Sequence, residues 1–375
     1  MIKVLCVFGT RPEAIKMAPL VKKISSSSAM QCVVCVTAQH REMLDQVLQV
    51  FNITPDYDLN LMHPSQTLTS ITADILTSLS DIFKREKPSI VLVHGDTTTS
   101  FASALAAFYE KIPIGHVEAG LRSFNPYSPF PEEINRKLTS RLATLHFAPT
   151  ETNIKNLRAE GTMGKIYKTG NTVIDALFSL IDDHYLFRNS ILSSLIFENR
   201  CSILLTIHRR ENLGDAMKNV FQAILQIVQR NPNVQFIYPI HKNPAIRDLA
   251  EKMIKNHDRI FILEPLEVDD MYNLIRKCSF VMTDSGGLQE EAPALGKPVL
   301  VLREETERPE AVEMGTVKII GTNTENILFE TERLILDNKE YLKMSSAVSP
   351  YGDGKACERI CDAILNHFEN SEFQC

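Results

Sequence analysis

The chain has 375 residues, of which 44% are hydrophobic and 23% charged; this is an ordinary globular composition, and at roughly 150 residues per domain the length predicts two domains. A net charge of −6 with no basic run argues against nucleic acid as a partner. Because no apolar run approaches the roughly 20 residues of a membrane span, and the first one is too short for a signal peptide, we expect a cytoplasmic protein with no membrane partner.

Short apolar runs alternate with helix-period segments along the whole chain. In the first half, five runs predict buried strands: "IKVLCVF", "QCVVCVT", "SIVLVHG", "IPIGHVE" and "TLHFAP". After about residue 170 the pattern restarts with "CSILLTI", "VQFIYPI", "RIFILEP", "FVMTD" and "PVLVL". This repetition predicts an α/β protein with two Rossmann-like, doubly wound parallel sheets, joined near Thr169–Leu177. Such sheets bind ligands beyond the carboxyl ends of their strands.

The first strand ends in "FGTRPEAIK". Gly9 suits the turn, and Thr10 with Glu13 predicts a helix capping box. Arg11 has no part in that box, and a planar cation at a strand end suits a phosphate, with Lys16 on the same early turns. No G-x-G-x-x-G dinucleotide fingerprint is present.

Two later strand ends share the pattern H-x-acid, with His94 and Asp96 at one and His116 and Glu118 at the other. These four residues fit a transition-metal site, or the two acids fit proton transfer. Alternatively, both histidines face into the sheet and Asp96 caps a helix that begins at Thr97. Further on, "SPFPEE" predicts a helix start with Glu132 and Glu133 in its first turn, next to a proline-rich loop.

The second half places His208, Arg209 and Arg210 directly after a buried strand, where they suit an anion, and "YPIHKNP" places His241 similarly. In "DSGGLQEEAP" a strand gives way to a helix, so that the N–H groups of residues 285–287 attract a phosphate. We expect Glu290 to point to solvent and Glu291 to accept hydrogen bonds from sugar hydroxyls. The motif therefore fits a nucleotide; the alternative is a tight packing turn.

Eight motifs in order resemble the non-hydrolysing UDP-N-acetylglucosamine 2-epimerases of bacteria: "FGTRPEAIKMAPL", "TAQHREMLDQVL", "HGDTTT", "GHVEAGLR", "SPFPEE", "HRREN", "DSGGLQEEAP" and "TERPEA". The resemblance implies a glycosyltransferase-B arrangement, in which two Rossmann-like domains, 1–170 with a returning helix 355–375 and 171–354, face a deep cleft. It also implies a homodimer that needs no metal and no nicotinamide or other cofactor.

The resemblance carries functional residues onto this chain by position. It implies the catalytic residues Asp96, Glu118, Glu132 and His208, of which Asp96, Glu118 and His208 also contact substrate. The other implied substrate contacts are Arg11, Lys16, Ser285, Gly286, Gly287, Glu291 and Arg308, with Leu266 and Met271 near the uracil. A candidate allosteric site for UDP-GlcNAc falls on Gln39, His40 and His241, although Glu42 replaces an expected glutamine and an arginine expected near Ser65 is absent.

The implied reaction is reversible C2 epimerisation of UDP-GlcNAc to UDP-ManNAc by elimination and re-addition of UDP through a 2-acetamidoglucal, in the service of cell-surface polysaccharide synthesis. The main alternative is a hydrolysing epimerase that releases ManNAc and UDP. A glycosyltransferase and a non-enzymatic sugar-nucleotide sensor are further alternatives on the same fold.

Overall fold

The computed structural model describes residues 1–37, 41–61, 66–255 and 257–372, without the side chains of 42 and 370–372. The chain divides into two compact units. Unit 1 is Met1–Ser179 together with the chain from Tyr351 onward, and unit 2 is Leu180–Pro350. No helix of the described chain has the length and apolar character that a membrane crossing requires.

Unit 1 contains a seven-stranded sheet in the order β3-β2-β1-β4-β5-β6-β7, with every described strand pair parallel. Its strands are β1 Ile2–Phe8, β2 Met30–Val36, β3 Tyr57–Asp58, β4 Ile90–His94, β5 Ile114–Val117, β6 Leu145–Ala148 and β7 Lys165–Lys168. Its helices are α1 Arg11–Ser25, α2 Arg41–Val50, α3 Leu68–Glu86, α4 Thr98–Tyr109, α5 Glu132–Leu142, α6 Glu151–Ala159, α7 Thr172–Leu180 and, from the C-terminal segment, α16 Ala356–Glu372.

The strands of unit 1 form because their apolar runs can be buried on both faces, as a parallel sheet requires. The five runs predicted from the sequence are confirmed as β1, β2, β4, β5 and β6. The sequence did not reveal β3 and β7, which lie at the two edges of the sheet and are short and partly polar. One of the helix-period segments between the runs is α3, which buries Ile75, Leu79 and Ile82.

Unit 2 contains a six-stranded parallel sheet in the order β10-β9-β8-β11-β12-β13. Its strands are β8 Cys201–Thr206, β9 Val234–Pro239, β10 Ile260–Leu263, β11 Phe280–Thr283, β12 Val299–Val301 and β13 Val317–Ile319. Its helices are α8 Ser190–Ser194, α9 Asp215–Arg230, α10 Pro244–Met253, α11 Val268–Lys277, α12 Leu288–Ala294, α13 Pro309–Glu313, α14 Thr324–Leu336 and α15 Asn338–Ser345, with a 3-10 turn at Arg210–Asn212.

The core of unit 2 lies between its sheet and helices α9 and α14. Phe221, Ile224 and Ile227 of α9 are fully buried, as are Phe236 and Tyr238 of β9. Each such side chain contributes roughly 1.5–3 kcal/mol relative to an exposed position. All five predicted strands of this half are confirmed, and only the edge strand β13 was not predicted.

Both sheets reverse their strand order at one place. In unit 1 the order changes direction between β1 and β4, and in unit 2 between β8 and β11. At such a switch point the loops after the two central strands diverge and leave a crevice that binds ligands in open α/β sheets. The residues that follow these four strands are therefore the ones to inspect.

Candidate active site

In unit 1 the backbone N–H groups of the loop after β1 donate to a carboxylate of the protein, that of Glu13. The predicted capping box is confirmed: Thr10 caps α1, and Glu13 Oε2 accepts the N–H groups of Gly9 at 2.9 Å and Thr10 at 2.8 Å. Its other oxygen accepts the Thr97 hydroxyl at 2.5 Å and the Ser100 hydroxyl at 3.0 Å. Burial raises the pKa of Glu13, although these hydrogen bonds partly oppose the shift. Glu13 thus ties the loops after β1 and β4 together.

Glu118 follows β5 in a left-handed backbone conformation, with φ of 60°. Its Oε2 pairs with Lys16 Nζ from α1 and accepts a hydrogen bond from Asn171 Nδ2 at 2.9 Å. The His94 Nε2 atom lies 3.7 Å from the same oxygen. Sequence reasoning placed Lys16 on a nucleotide; here its ammonium contacts a candidate catalytic carboxylate.

Asp96 follows β4, and its Oδ2 accepts from Arg136, at 2.9 Å from Nε and 2.7 Å from the terminal nitrogen. The side chain of Asn135 donates to the Asp96 carbonyl at 3.0 Å. The expectation that Asp96 caps the next helix is wrong, because Thr97 is the N-cap of α4. No role was predicted for Arg136. The sequence feature that could have indicated one is its position on α5, one turn beyond the acids Glu132 and Glu133.

The neighbouring acids Glu132 and Glu133 begin α5, as predicted, but their surroundings differ. Glu133 is fully buried and accepts the N–H groups of Ser123 at 2.9 Å and Phe124 at 3.2 Å. It also lies 3.3 Å from Arg136. The Oε2 atom of Glu132 is buried and has no hydrogen-bond partner among the described residues. Glu133 therefore serves the fold, whereas Glu132 has an oxygen that no described residue binds.

The histidines of the two H-x-acid motifs face into the sheet, as the structural alternative held, with His94 3% and His116 0% exposed. Burial lowers the pKa of His94 to about 4 and that of His116 to about 3. His116 Nε2 lies 2.7 Å from the Gly95 carbonyl. In the described part of the chain, no cluster of His, Cys, Asp and Glu is placed to hold a metal ion. The acids of both motifs are paired with cations instead.

In unit 2 the central residue is Asp284, to which the sequence assigned no role. Its buried carboxylate accepts the N–H groups of His208 at 2.8 Å and Arg209 at 2.7 Å, and the Asn212 amide at 3.0 Å. The other oxygen lies 3.0 Å from His208 Nδ1. Burial opposes ionisation of Asp284, but the hydrogen bonds from His208 and the backbone outweigh it and lower its pKa.

The Asp284 carboxylate faces the imidazole of His208. With Nδ1 facing the carboxylate, Nε2 is the nitrogen left to meet a ligand, and the side chain is 38% exposed. The ring stacks on His241, with centroids 5.7 Å apart. Burial and the nearby charge of His208 lower the pKa of His241. The His208 imidazole, stacked on His241, can therefore donate a hydrogen bond from Nε2 to an anion that lies beyond the end of β8.

The turn Ser285–Gly287 follows β11 at the switch point. Among the described residues, none accepts a hydrogen bond from the N–H of Gly286 or Gly287. Gly287 has an ordinary φ of −62°, and Gly286 is not among the residues with positive φ. A Cβ added at Gly286 would come no closer than 3.8 Å to Arg209, and one at Gly287 no closer than 3.7 Å to Glu291. Neither backbone strain nor packing requires these glycines, which argues against the tight packing turn.

The prediction for the first glutamate of the motif is wrong, whereas that for Glu291 stays a prediction. Glu290 does not point to solvent: it is 3% exposed and pairs with Arg308 Nε, because the cation compensates a carboxylate on the buried side of α12. Glu291 is half-buried, and the Tyr272 hydroxyl lies 3.3 Å from its Oε1. Arg308, predicted to contact the nucleotide, thus has an acidic partner within unit 2.

The remaining predicted site residues are placed as follows. Arg11 is the first residue of α1 and half-buried. Leu266 is 8% exposed in the loop after β10, and Met271 is half-buried on α11. Gln39 and His40 lie outside the described residues. The candidate proton-transfer carboxylates and the cations Arg11 and Lys16 thus lie in unit 1, whereas the glycine turn, His208, Glu291 and Arg308 lie in unit 2.

A family model for UDP-N-acetylglucosamine 2-epimerase matches residues 22–365. The chain belongs to the UDP-N-acetylglucosamine 2-epimerase family. The Bacillus subtilis UDP-N-acetylglucosamine 2-epimerase is 54% identical over 368 residues, which cover 98% of this chain and 96% of that protein.

Two solved structures of similar proteins contain nucleotides. The Neisseria meningitidis UDP-GlcNAc 2-epimerase, bound to UDP-GlcNAc, is 49% identical with a TM-score of 0.86 over 97% of this chain and 100% of its own. A Staphylococcus aureus protein solved with UDP is 51% identical, also with a TM-score of 0.86, over 98% and 97%. The predicted family and the Rossmann-like fold are therefore confirmed, and the chain is an enzyme of the UDP-N-acetylglucosamine 2-epimerase family. The roles of individual residues stay predictions.

Proposed function

We propose that the chain interconverts UDP-GlcNAc and UDP-ManNAc without net hydrolysis. The observation that carries this proposal is the turn Ser285–Gly287, where two glycines that the fold does not require keep two N–H groups without an acceptor among the described residues. A diphosphate suits these donors and the His208 imidazole beside them. Similar proteins have been solved with UDP and UDP-GlcNAc, which supports the same ligand here.

The chemistry explains why a phosphate site and several carboxylates are both required. The C2 hydrogen of the sugar is not next to a carbonyl, so its direct removal is unfavourable. When UDP leaves first, N–H groups and cations stabilise its growing charge. The anomeric carbon then acquires oxocarbenium character, which acidifies the C2 hydrogen. A carboxylate removes that proton to give the 2-acetamidoglucal; reprotonation on the opposite face and return of UDP give the epimer.

Inversion at C2 requires proton transfer on both faces of the sugar, and we assign it to Asp96, Glu118 and Glu132 of unit 1. Glu132 is the best-supported of the three as a proton carrier, because a buried oxygen of its carboxylate has no partner among the described residues. Asp96 and Glu118 are held by Arg136 and Lys16, which suits fixed orientation of the sugar. His208 assists departure of the diphosphate.

Incubation of UDP-GlcNAc in deuterated water tests this proposal. We expect deuterium at C2 of both UDP sugars in proton NMR, with UDP-ManNAc as the new product. A glycosyltransferase or a sugar-nucleotide sensor incorporates no deuterium at C2. Free ManNAc that accumulates at the rate of UDP shows the hydrolysing alternative and contradicts the proposal.

Chelation tests the remaining alternative for the H-x-acid residues. Because Asp96 is paired with Arg136 and Glu118 with Lys16, we expect turnover to be unchanged after EDTA treatment and dialysis. Loss of activity that zinc restores would instead assign His94, Asp96, His116 and Glu118 to a metal.

We further propose a homodimer that acts in the cytoplasm to supply cell-surface polysaccharide synthesis. The dimer is supported by apolar side chains on the packed helices α4 and α5, where Phe108, Tyr109 and Leu138 are exposed. Light scattering of the purified chain measures the mass of the assembly, and a monomer at micromolar concentration contradicts the dimer.

A further inference from the structure

Asn171 contacts Glu118, one of the three carboxylates to which proton transfer is assigned. Asn171 is 3% exposed, its Nδ2 donates to Glu118 Oε2 at 2.9 Å, and its Oδ1 accepts the Val173 N–H at 3.1 Å. A carboxylate can only accept and a backbone N–H can only donate, so the two partners fix which way the amide points. One asparagine thus orients a candidate catalytic carboxylate and starts helix α7.

The backbone of Asn171 connects it to the segment by which the chain returns to unit 1. Its N–H donates to the Tyr351 carbonyl at 2.7 Å. Next to this contact, Gly170 and Gly352 have φ of 88° and 127° and approach so closely that a Cβ on Gly170 would lie 3.3 Å from the Cα of Gly352. Here glycine is required both by conformation and by packing.

Further hydrogen bonds join the chain around residues 169–175 to the chain that follows Tyr351. The Asp175 carboxylate accepts the N–H groups of Ala356 at 3.1 Å and Cys357 at 2.8 Å, which start α16. Arg359 donates to the Thr169 carbonyl at 3.0 Å. We call residues 169–175 and 351–357 the connecting pair. The chain leaves unit 1 after Ser179 and re-enters it at Tyr351, so the connecting pair lies next to both crossings.

We propose that Asn171 is the positioning residue for Glu118 and that it ties the direction of this carboxylate to the connecting pair. The inference rests on the proposed function, in which Glu118 acts on the sugar. Lys16 from α1 and His94 from β4 are among the other described groups that face Glu118. Lys16 has a long flexible side chain and His94 Nε2 lies 3.7 Å away, whereas the Asn171 amide is fixed at both ends.

Two variants separate positioning from folding. Asn171→Asp keeps an oxygen for the Val173 N–H but replaces the donor to Glu118 with a second carboxylate, whereas Asn171→Ala removes both contacts. We expect kcat to fall about tenfold for Asn171→Ala and further for Asn171→Asp, with UDP affinity nearly unchanged. The acid limb of the pH profile of kcat/KM should move to higher pH in both variants, because ionised Glu118 loses the amide donor that stabilises it. The shift should be larger for Asn171→Asp, because the new carboxylate adds a like charge beside Glu118.

Asn323→Asp is the matched control, because Asn323 also caps a helix through Oδ1 but lies in unit 2 at the start of α14. Its pH profile should equal that of the wild type. If Asn171→Asp lowers kcat and leaves the acid limb in place, Asn171 is only structural and the inference is overturned. If the wild type exchanges no hydrogen at C2, the proposed function fails; carbon-13 NMR titration of Glu118 then tests the contact alone, and an unmoved midpoint in Asn171→Asp overturns it.

Discussion

The two units share one strand order and close the first turn in the same way. After β1, the N–H groups of Gly9 and Thr10 donate to Glu13. After β8, the N–H groups of His208 and Arg209 donate to Asp284. In a dinucleotide-binding fold the first turn receives the phosphates. Here these four N–H groups donate to a carboxylate of the protein, so they are not open to a phosphate.

The turn after the fourth strand is where the units differ. In unit 1 the Gly95 N–H donates to the Val117 carbonyl at 2.9 Å, and the carboxylate of Asp96 follows. In unit 2 the N–H groups of Gly286 and Gly287 meet no acceptor in the described part of the chain. Asp284 follows β11 as well, but its carboxylate accepts the N–H groups of His208 and Arg209. The turns therefore differ in that unit 1 pairs its acid with Arg136, whereas unit 2 adds two N–H groups that meet no described acceptor. This division predicts that proton transfer and phosphate binding can be damaged separately.

The largest expected effect concerns proton transfer in unit 1. Glu132→Gln should lower kcat by about a hundredfold or more, because general acid–base catalysis contributes at least this much. The melting temperature should not change, since the buried Oε2 of Glu132 bonds to no described residue. UDP affinity, measured by calorimetry, should also be unchanged. Near-normal kcat would remove Glu132 from the mechanism.

The adjacent Glu133→Gln is the matched control. Glu133 accepts two backbone N–H groups, one on each oxygen, and contacts Arg136. Glutamine keeps one acceptor oxygen but sets its NH2 donor against the other N–H and removes the charge that faces Arg136. We expect a loss of about 1–3 kcal/mol in the free energy of unfolding, visible as a lower melting temperature. The two neighbours thus separate an acid used by the reaction from one used by the fold. A large kcat loss with unchanged melting in Glu133→Gln would reverse these assignments.

A smaller effect is expected at the glycine turn of unit 2. Gly286→Ala should fold normally, because the added Cβ comes no closer than 3.8 Å to its nearest neighbour. It should weaken UDP binding by about tenfold, or about 1.4 kcal/mol, since the methyl group keeps the phosphate from the backbone. Gly9→Ala is the contrast: its Cβ would overlap the Thr37 hydroxyl, so we expect it to destabilise unit 1. Unchanged UDP affinity in Gly286→Ala would place the phosphates elsewhere.

The sequence predicted the buried parts of this molecule better than its edges. Ten apolar runs became strands, because strands buried on both faces have uninterrupted apolar sequences. The missed strands β3, β7 and β13 lie at sheet edges, where burial on both faces is not required. Glycines, acids and the capping box at strand ends were also found, because local rules govern turns and helix starts.

The partners of the candidate catalytic groups were not predictable from local patterns. Asp284 meets His208 because β11 pairs with β8 in a register that sets Thr283 opposite Thr206. Asn171 and Arg136 reach their carboxylates from elements 53 and 40 residues away. Such contacts depend on sheet order and register, which periodicity does not contain. The direction of Glu290 was wrong for the same reason, since Arg308 comes from a later loop.

The last expected effect is a difference between the units in acid. Unit 1 buries His94, His116 and His146, and burial lowers their pKa values to about 4, about 3 and about 4. An unfolded histidine titrates near 6.5. Between that value and the folded pKa only the unfolded chain takes up the proton, so each histidine lowers the free energy of unfolding by up to about 1.4 kcal/mol per pH unit. These histidines therefore do not reduce the free energy of unfolding above about pH 6.5, and they reduce it increasingly as the pH falls towards their folded pKa values of about 4 and about 3.

His146→Leu isolates this effect. Neither ring nitrogen of His146 has a hydrogen-bond partner among the described residues, so a leucine of similar size loses no bond at neutral pH. We expect the variant to melt like the wild type at about pH 7.5 and at a higher temperature than the wild type at about pH 5. His184→Leu, at an exposed histidine, should leave this pH dependence unchanged. Equal acid sensitivity in His146→Leu and the wild type would mean that the acid response comes from the carboxylates, and unit 1 would not be the acid-sensitive half.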